Sequence, residues 1–361
     1  MQQLSAMQIE ELDYHLPGSL IAQFPSRRRD ESRLLVLNKE NGNIWHGRFR
    51  DLVKWLCPND LLVVNDTKVF PARLWGQKET GGKVEILLCE PLSERGDPLP
   101  PLQETGAFRS LVWKCLVRPS WRLSEGTELT FGLKVKGTLH RRAEYWVIEF
   151  TGVKDLLSFL RRHGQVPLPP YVGRRPNPRD RSRYQTLFAK REGSIAAPTA
   201  GLHFNKSVLQ KLKESGVSWT SITLQVGIGT FLPVRAQSLE EHRMHPEYVE
   251  VPESCCEAWL RTRRQGGRVV AVGTTVVRAL ESAMGQGETL SPYRGFTDLF
   301  LKPGCSFKAI DALLTNFHLP RTSLLALVMA FAGKEKVRKA YEEAISLGYR
   351  FYSYGDAMFI T

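Results

Sequence analysis

This sequence lacks the residue patterns that several classes of functional site require. Only 6 of the 361 residues are cysteines and none forms a C-x-x-C pair, which argues against a structural zinc site and a disulfide framework. His242 and His245 are three residues apart, whereas the zinc-binding helix motif needs a spacing of four. No G-x-x-x-x-G-K-[ST] loop and no G-x-S-x-G turn is present. We therefore expect no metal site, no P-loop hydrolysis and no hydrolase triad.

Features of membrane and exported proteins are also scarce. The longest apolar run, residues 324–332, is much shorter than the roughly 20 residues that span a bilayer. The first residues have neither the basic nor the apolar region of a signal peptide. We expect a cytoplasmic protein that does not enter a membrane and whose cysteines are reduced.

Positive charge is in excess. The chain has 50 Lys and Arg against 37 Asp and Glu, a net charge of +13, and such an excess attracts polyanions. The same charge is compatible with a basic cytosolic protein that has no polyanionic partner. Charge alone therefore does not show that the protein binds nucleic acid.

A Pro-rich and Arg-rich segment, residues 166–186, concentrates this charge. Tyr171 and Tyr184 flank its arginines, which face a single acid, Asp180. The segment is either a solvated linker or an extended arm whose arginines contact phosphates while the tyrosines stack on bases. We favour the arm. Its candidate phosphate-binding residues are Arg174, Arg175, Arg179, Arg181 and Arg183.

Hydrophobic patterning predicts the fold. Arg33–Leu37 and Asp60–Asn65 are continuously apolar, as in strands buried on both faces. Between residues 72 and 150, six segments alternate with a period of two, which suggests a small closed barrel. From residue 194 onward, strands and helices alternate. We predict an α/β protein: a layered α/β domain formed by residues 1–70 and 151–361, with a closed β-barrel domain of residues 71–150 inserted.

Two glycine turns follow predicted strands and suggest a nucleoside pocket. In the first, Gly273 lets a ligand approach the backbone, the next two threonines cap a helix, and free N–H groups offer an anion site. The second, residues 227–231, lacks the third glycine and the downstream acid of a dinucleotide fingerprint. Each could be an ordinary turn. Together they are consistent with a nucleoside pocket at strand ends.

Two histidines lie in loops that hold them at fixed positions. His203 follows Pro198 and Thr199 in AAPTAGLHF, and His318 lies in TNFHLP, after a predicted strand and before a helix that Thr322 or Ser323 would cap. Imidazoles act as general acids or bases near neutral pH. For His203, a histidine hydrogen-bonded within its own loop is the plainer interpretation, whereas His318 lies where the active sites of α/β proteins usually lie.

Ten segments, in order along the chain, carry a resemblance to a known family. They are LIAQFP, NDTKVFPARL, GQVPLPPY, YQTLFA, AAPTAGLHF, GIGTF, HRMHPEYVEVP, AVGTTVVRALES, TNFHLP and SYGDAMFI. These segments are similar to those of the S-adenosylmethionine:tRNA ribosyltransferase-isomerases of queuosine biosynthesis, from about Tyr14 to Ile360. The family's fold, an α/β domain with an inserted β-barrel, agrees with the patterning. Ten dispersed blocks in the right order are far more specific than any single motif.

The resemblance implies a transferase-isomerase that modifies tRNA. It would join the ribosyl part of S-adenosylmethionine to 7-aminomethyl-7-deazaguanine at the wobble position, give epoxyqueuosine, and release adenine and methionine. S-adenosylmethionine would be a co-substrate, with no cofactor and no metal. The expected partners are S-adenosylmethionine and the tRNA that carries the modified base, and we expect a monomer.

The reaction implied by the resemblance requires proton transfers, and the matching positions supply candidates. The expected catalytic residues are His203, Asp298 and His318. The expected S-adenosylmethionine-binding residues are Thr199, Gly227, Gly229 and Phe231 around the adenosyl group, and Gly273, Thr274, Thr275 and Arg278 at the methionine carboxylate. Asn65 and Asp66 are expected to face the ribose or the modified base.

At three positions the residue differs from the one that is common in the family. Gln225 stands where a histidine is common, so we do not place the catalytic base there. Leu232 replaces a commonly polar residue. Val276 replaces a serine, which removes a hydroxyl contact but leaves the backbone N–H site.

Two other functions remain open from the sequence. An S-adenosylmethionine-dependent RNA methyltransferase would carry a glycine-rich loop after its first strand, and that loop is absent here. A non-catalytic RNA-binding relative would bind tRNA in a salt-sensitive way without turnover. The charge and the arginine-rich segment fit all three functions, and only the ordered set of motifs favours ribosyl transfer.

Overall fold

The computed structural model describes residues 8–93, 95–99, 110–132, 134–142, 145–231 and 238–361, without the side chains of residues 230 and 231. The strands are β1 (Arg33–Leu37), β2 (Ile44–Arg48), β3 (Leu61–Asn65), β4 (Thr67–Val69), β5 (Arg73–Gln77), β6 (Lys83–Leu92), β7 (Val112–Arg118), β8 (Thr127–Thr130), β9 (Lys136–Arg142), β10 (Tyr145–Thr151), β11 (Arg191–Ser194), β12 (Ser218–Leu224), β13 (Glu247–Val251), β14 (Val269–Val272), β15 (Tyr293–Thr297), β16 (Ala312–Asn316) and β17 (Ala357–Ile360). The helices are α1 (Leu156–His163), α2 (Asp180–Arg183), α3 (Lys206–Glu214), α4 (Glu253–Arg264), α5 (Thr274–Met284), α6 (Ser323–Ala332) and α7 (Lys334–Ser346). Short 3₁₀ segments include Phe49–Trp55, Thr199–His203 and Ile228–Phe231.

A nine-stranded mixed sheet forms the centre of the larger domain, in the order β15-β13-β12-β3-β14-β16-β17-β1-β2. Its four central strands, β12, β3, β14 and β16, are parallel to one another. All five residues of β3 are buried, because layers cover both faces of the sheet. The carboxyl ends of parallel strands meet at one edge, so the residues that follow Leu224, Asn65, Val272 and Asn316 come together there.

Two layers cover this sheet. Helices α4 to α7 contribute Trp259, Leu280 and Val328 to the core on one face. The 3₁₀ segment Phe49–Trp55 and helix α3 cover the other face. Side-chain caps define where several helices begin: Asn205 accepts a hydrogen bond from the Val208 N–H at 2.8 Å at the start of α3.

The smaller domain is a closed antiparallel barrel in the order β10-β7-β6-β5-β8-β9. Its interior is filled by side chains that include Trp113, Phe131 and Phe150. A Cβ atom on Gly137 would lie 2.7 Å from Ile148 Cδ1, so glycine leaves room for this packing. Helix α1 packs its apolar side against the barrel. The parallel pair β4–β11 lies where the chain enters the barrel.

The predicted fold class, an α/β domain with a small closed barrel, is confirmed. A hairpin joins β5 to β6 around Gly81, which has φ +85°. β12 ends at Leu224, and beyond it the Val226 carbonyl accepts a hydrogen bond from the Ile195 N–H. The domain limits stay a prediction, and the barrel strands run from Arg73 to Thr151.

Within the described part of the chain, no helix is long and apolar enough to cross a membrane. The most apolar helix, α6, has 10 residues and packs into the core of the larger domain.

Candidate active site

A cavity lies at the carboxyl edge of the four parallel strands, with about 840 Å³ of empty space that includes its opening to solvent. We call it the sheet cavity. Its walls include Thr199, Ala200, Val226, Gly229, Met244, His245, Glu247, Gly273, Thr274, Thr275, Arg278, Thr315, Asn316 and His318. Open α/β sheets bind their ligands at this edge. The predicted glycine turn at residues 273–275 and the His318 loop are therefore brought together.

A second opening lies between the barrel and the sheet, with about 1190 Å³ of empty space that includes its opening to solvent. We call it the interdomain cleft. Its walls include Cys89, Glu90, Pro91 and Lys114 on the barrel side and Gln225, Gly227, Ile228, Tyr248 and Phe296 on the other. Among the described residues, Val226, His245 and Glu247 line both the sheet cavity and the interdomain cleft. The two spaces therefore adjoin at these three residues.

The turn after β14 has the backbone geometry of an anion site. Gly273 has φ +97°, a conformation that favours glycine, and its N–H donates to the Leu314 carbonyl at 2.8 Å. The predicted threonine cap is wrong: no side chain caps α5, and the Thr275 hydroxyl accepts a hydrogen bond from Asn65 Nδ2 at 3.3 Å. The N–H groups of Thr274 and Thr275 belong to the first turn, where no carbonyl of the helix can accept them.

Arg278 is already ion-paired, which changes the role we expected for it. Its guanidinium bonds to a carboxylate oxygen of Glu247, and both side chains are about 95% buried. The other Glu247 oxygen accepts the Gly227 N–H at 2.9 Å. A ligand carboxylate would therefore compete with Glu247 for Arg278. Sequence reasoning missed Glu247, although the acid lies within the HRMHPEYVEVP segment.

The two histidines singled out by sequence lie close to each other, but only His318 lines the sheet cavity. Its Nε2 is 2.9 Å from the Thr315 hydroxyl, and burial lowers its pKa to about 3. His203 lies behind Asn316, with 3.2 Å between its Nε2 and Asn316 Nδ2. Burial lowers the pKa of His203 to about 4. Both imidazoles are therefore neutral near pH 7.

Three other candidates lie outside the walls of the sheet cavity. Asp298 is exposed and follows the edge strand β15. Asn65 joins β3 to β12, because its side chain bonds both the carbonyl and the N–H of Leu224, at 3.0 and 3.1 Å. Asp66 accepts a hydrogen bond from the Thr223 hydroxyl at 2.6 Å, and burial raises its pKa. Asn65 and Asp66 therefore fix neighbouring strands, and neither lines the sheet cavity or the interdomain cleft.

The adenosyl candidates divide between the two spaces. Thr199 and Gly229 line the sheet cavity, and Gly227 lines the interdomain cleft. The side chain of Phe231 lies outside the described residues. Gly229 passes close to His245, since a Cβ atom added there would be 3.2 Å from the His245 Cβ. The second glycine turn thus gives His245 room at the boundary of the two spaces.

The arginine-rich segment folds against the domain and does not extend into solvent. Arg174 binds Asp180 through two contacts of 2.7 Å. Arg181 donates to the Arg161 carbonyl at 2.5 Å, and Arg183 donates to the Ser26 carbonyl. Arg175 and Arg179 are exposed.

The base-stacking role we expected for the two tyrosines is wrong. Tyr184 is 1% exposed, and both it and Tyr171 line the sheet cavity. The ring of Tyr171 makes a T-shaped contact with Tyr352, with 4.0 Å between the ring centroids. Both rings point inward because they complete the small apolar cluster that also contains Leu168 and Tyr354.

The structure explains the residues that differ from the usual family motifs, at the positions that it describes. Gln225 is buried, and its Oε1 accepts hydrogen bonds from the Thr67 and Ser194 hydroxyls at 2.8 and 3.2 Å. It thus ties the β4–β11 pair to the sheet. Val276 lies on helix α5, and its side chain is fully buried in the core that this helix covers. Leu232 lies outside the described residues.

The two buried histidines make the stability of the protein dependent on pH. The unfolded chain binds protons at His203 and His318 below about pH 6.5, whereas the folded protein resists protonation until about pH 4 and 3. We expect the free energy of unfolding to fall as pH drops below 6.5, by roughly 2 kcal/mol per histidine at pH 5. Above pH 6.5 these groups contribute no pH dependence.

Urea unfolding at pH 7.5 and pH 5 measures this dependence. The His318→Asn variant is expected to be less stable at pH 7.5, because it loses a buried ring, but to show a pH dependence smaller by roughly 2 kcal/mol. An unchanged pH dependence in that variant would contradict the buried, neutral state of His318.

Among the described residues, no group of three or more His, Cys, Asp or Glu side chains is arranged to hold a metal ion. The expectation that no metal takes part stays a prediction.

Comparison with known proteins places the chain among relatives of similar length. Residues 9–360 match the family described as queuosine biosynthesis protein. The chain is 48% identical over 356 residues to the S-adenosylmethionine:tRNA ribosyltransferase-isomerase of Pelobacter propionicus, and 48% identical over 361 residues to that of Moorella thermoacetica. Each alignment covers 98% of this chain and 100% of the relative.

A solved structure shares the fold. It is the crystal structure of S-adenosylmethionine tRNA ribosyltransferase from Thermotoga maritima, with a TM-score of 0.54 and 37% sequence identity. The alignment covers 97% of this chain and 100% of that chain.

Proposed function

Since the chain belongs to the queuosine biosynthesis protein family, we propose that the sheet cavity and the interdomain cleft together carry out ribosyl transfer and isomerisation. The enzyme is an S-adenosylmethionine:tRNA ribosyltransferase-isomerase. It joins the ribosyl part of S-adenosylmethionine to 7-aminomethyl-7-deazaguanine at the wobble position and gives epoxyqueuosine, adenine and methionine. One observation carries the proposal: the sheet cavity and the interdomain cleft adjoin and share Val226, His245 and Glu247 as walls.

We assign S-adenosylmethionine to the sheet cavity. The N–H groups of Thr274 and Thr275, at the N-terminus of an 11-residue helix, suit its carboxylate. Thr199 and Gly229, which also line this space, would adjoin the adenosyl part. Arg278 and Glu247 neutralise each other, so this wall adds no net charge that would repel the sulfonium.

We assign the modified base to the interdomain cleft. The cleft is the larger space, as a base that stays attached to RNA requires. Tyr248 and Phe296 form a T-shaped pair in its wall, with 5.7 Å between ring centroids, and such rings offer faces for stacking. Burial raises the pKa of Glu90 on the barrel side, while Lys114 and His245 pull it down. A titratable carboxyl thus faces the place where a substrate amine must lose its proton.

The reaction requires both substrates to meet at the shared wall. The sulfonium acidifies the C5′ hydrogens, so a base must remove one, and adenine leaves more readily when its ring is protonated. The neutral amine then attacks the ribose-derived carbon, and methionine leaves as a thioether when the epoxide closes. His245 is the imidazole that both spaces reach, and we place proton transfer there.

In this proposal the two histidines that the sequence pointed to do not transfer protons. His318 acts as a neutral hydrogen-bonding group in the cavity wall, and His203 positions Asn316 from behind. Asp298 lines neither space and has no part in the proposed chemistry. A tRNA substrate supports a cytoplasmic location, and we propose that the protein acts as a monomer.

Product analysis tests the function. The protein is mixed with S-adenosylmethionine and an anticodon stem-loop RNA that carries 7-aminomethyl-7-deazaguanine. Free adenine is followed by chromatography and the RNA nucleoside by mass spectrometry. Adenine and methionine formed in step with epoxyqueuosine are expected. S-adenosylhomocysteine would instead show methyl transfer, and RNA binding without any product would show a non-catalytic relative.

A further inference from the structure

We propose that the surface formed by residues 23–28 and 174–183, here called the arginine face, docks the anticodon-loop nucleotides next to the modified base, with Phe24 as a stacking platform. The inference rests on the proposed function, because it identifies where the tRNA of that reaction is held. Phe24 would stack on a base in place of Tyr171 and Tyr184, because RNA can reach its ring whereas the two tyrosine rings face inward.

Phe24 has the exposure and the rigid support of a stacking platform. Its side chain is 57% exposed. The guanidinium of Arg174 lies 4.3 Å from the centre of the ring, and Asp180 holds that guanidinium through two contacts of 2.7 Å. The Phe24 carbonyl accepts a hydrogen bond from Arg350 at 3.3 Å. The ring is therefore held on one side and open to solvent elsewhere.

The arginine face adjoins the sheet cavity through direct hydrogen bonds. Gln23, the neighbour of Phe24, donates to the Tyr171 carbonyl at 3.0 Å and accepts the Gly173 N–H at 2.8 Å. Tyr171 is itself a wall residue of the cavity. A nucleotide on Phe24 would thus lie on the sheet-cavity side of the reaction centre, and the modified base in the interdomain cleft would lie across the wall that the two spaces share.

The charge of this surface suits a phosphodiester chain. Arg27, Arg175 and Arg179 are exposed and have no ion-pair partner among the residues that the structure describes. The acids beneath them, Asp30 and Asp180, are buried and paired with arginines. The exposed groups are thus mainly cationic.

The combination favours single-stranded RNA over an acidic protein. An acidic peptide would pair with the arginines but would leave an exposed aromatic ring without a matching flat surface. Single-stranded RNA offers phosphates for the arginines and bases for the ring, and this pairing of charge with stacking is how proteins hold such strands.

The test compares Phe24→Ala with Phe24→Trp. The probe is the stem-loop RNA with 7-aminomethyl-7-deazaguanine and with 2-aminopurine at the adjacent nucleotide. Stacking on one aromatic ring accounts for roughly tenfold in affinity. We expect Phe24→Ala to bind about tenfold more weakly and to lose the fluorescence quenching of 2-aminopurine, while Phe24→Trp retains both.

The matched control is another exposed aromatic–arginine pair. Trp121 on the barrel is 76% exposed, and the Arg122 guanidinium lies 4.3 Å from its ring centre. We expect Trp121→Ala to leave RNA binding unchanged. Weaker binding in Trp121→Ala but not in Phe24→Ala would place the RNA on the barrel and overturn the inference.

Charge reversal tests the arginines separately. Arg175→Glu with Arg179→Glu is expected to weaken RNA binding and to reduce its dependence on salt. Arg261→Glu with Arg264→Glu, at exposed positions of α4, serves as the control that changes net charge equally. Equal loss in both pairs, or equal competition by poly-glutamate, would overturn the inference.

The outcomes separate this inference from the proposed function. Wild-type protein that forms epoxyqueuosine, together with normal RNA binding by Phe24→Ala, would overturn only the docking surface. Wild-type protein that forms no epoxyqueuosine would overturn the function on which the inference rests.

Discussion

Replacing His245 with alanine is expected to lower kcat for ribosyl transfer by about 10²- to 10⁴-fold, the usual contribution of a positioned acid or base. His245 lines both the sheet cavity and the interdomain cleft, so its imidazole can reach both substrates. The side chain is exposed, so the free energy of unfolding should change little. Steady-state kinetics and urea unfolding of the same preparation measure the two effects.

His242→Ala is the matched control for this prediction. His242 belongs to the same segment, contacts the Phe300 ring at 5.1 Å between ring centroids, and lines neither space. Its kcat should stay within about twofold of wild type. Added imidazole should restore part of the activity of His245→Ala, because the position is open to solvent. A kcat in His245→Ala close to that of His242→Ala would remove His245 from the chemistry.

Breaking the buried pair of Glu247 and Arg278 is expected to cost more stability than changing any surface ion pair. Glu247→Gln leaves the Arg278 guanidinium charged and unpaired in a site where it is 4% exposed. We expect the free energy of unfolding to fall by about 3–5 kcal/mol. The double variant Glu247→Gln with Arg278→Met should recover most of this loss, since it removes the stranded charge.

A surface ion pair calibrates the size of this effect. Lys302 and Glu240 are 2.9 Å apart, with side chains 27% and 45% exposed. Glu240→Gln should lower the free energy of unfolding by less than about 1 kcal/mol. Urea denaturation of the three variants gives the comparison. A double variant as unstable as Glu247→Gln would mean that lost packing, and not an unpaired charge, accounts for the effect.

The elements with strong local patterns could be predicted from the sequence, and several strands that depend on distant partners could not. β1 and β3 were predicted because continuous apolar runs are typical of strands buried on both faces. β13 and β15 were missed because their patterns are weak and their pairing with each other joins residues about 50 positions apart. Strand β17, antiparallel to β16 and parallel to β1, likewise depends on a partner distant in the chain.

The site was predictable where backbone geometry determines it. The turn at Gly273 and the loop that carries His318 follow parallel strands, and the sheet brings both to one edge. The pairing of Glu247 with Arg278 could not be read from spacing, because it joins a strand to a helix. His245 was considered only as a metal ligand, since its position between the two domains becomes visible only in the folded chain.

The direction of side chains was the least predictable feature. The arginine-rich segment was correctly seen as basic, but its tyrosines turn inward to complete an apolar cluster. Phe24, in the segment LIAQFP, was quoted only as part of a family motif. Its exposure follows from how residues 21–29 and 171–183 pack together, which no periodicity in either segment encodes.

The central claim is that S-adenosylmethionine and the modified base occupy two adjoining spaces. The most direct test measures KM for S-adenosylmethionine and KM for the stem-loop RNA in two variants, one that changes the sheet cavity and one that changes the interdomain cleft. Thr199→Phe fills part of the sheet cavity, and Phe296→Ala removes an aromatic wall of the interdomain cleft. The account predicts that Thr199→Phe raises KM for S-adenosylmethionine by about tenfold with little change in KM for the stem-loop RNA. It predicts the reverse for Phe296→Ala, by a similar factor. If both variants raised the same KM, the assignment of the two substrates to two adjoining spaces would be contradicted.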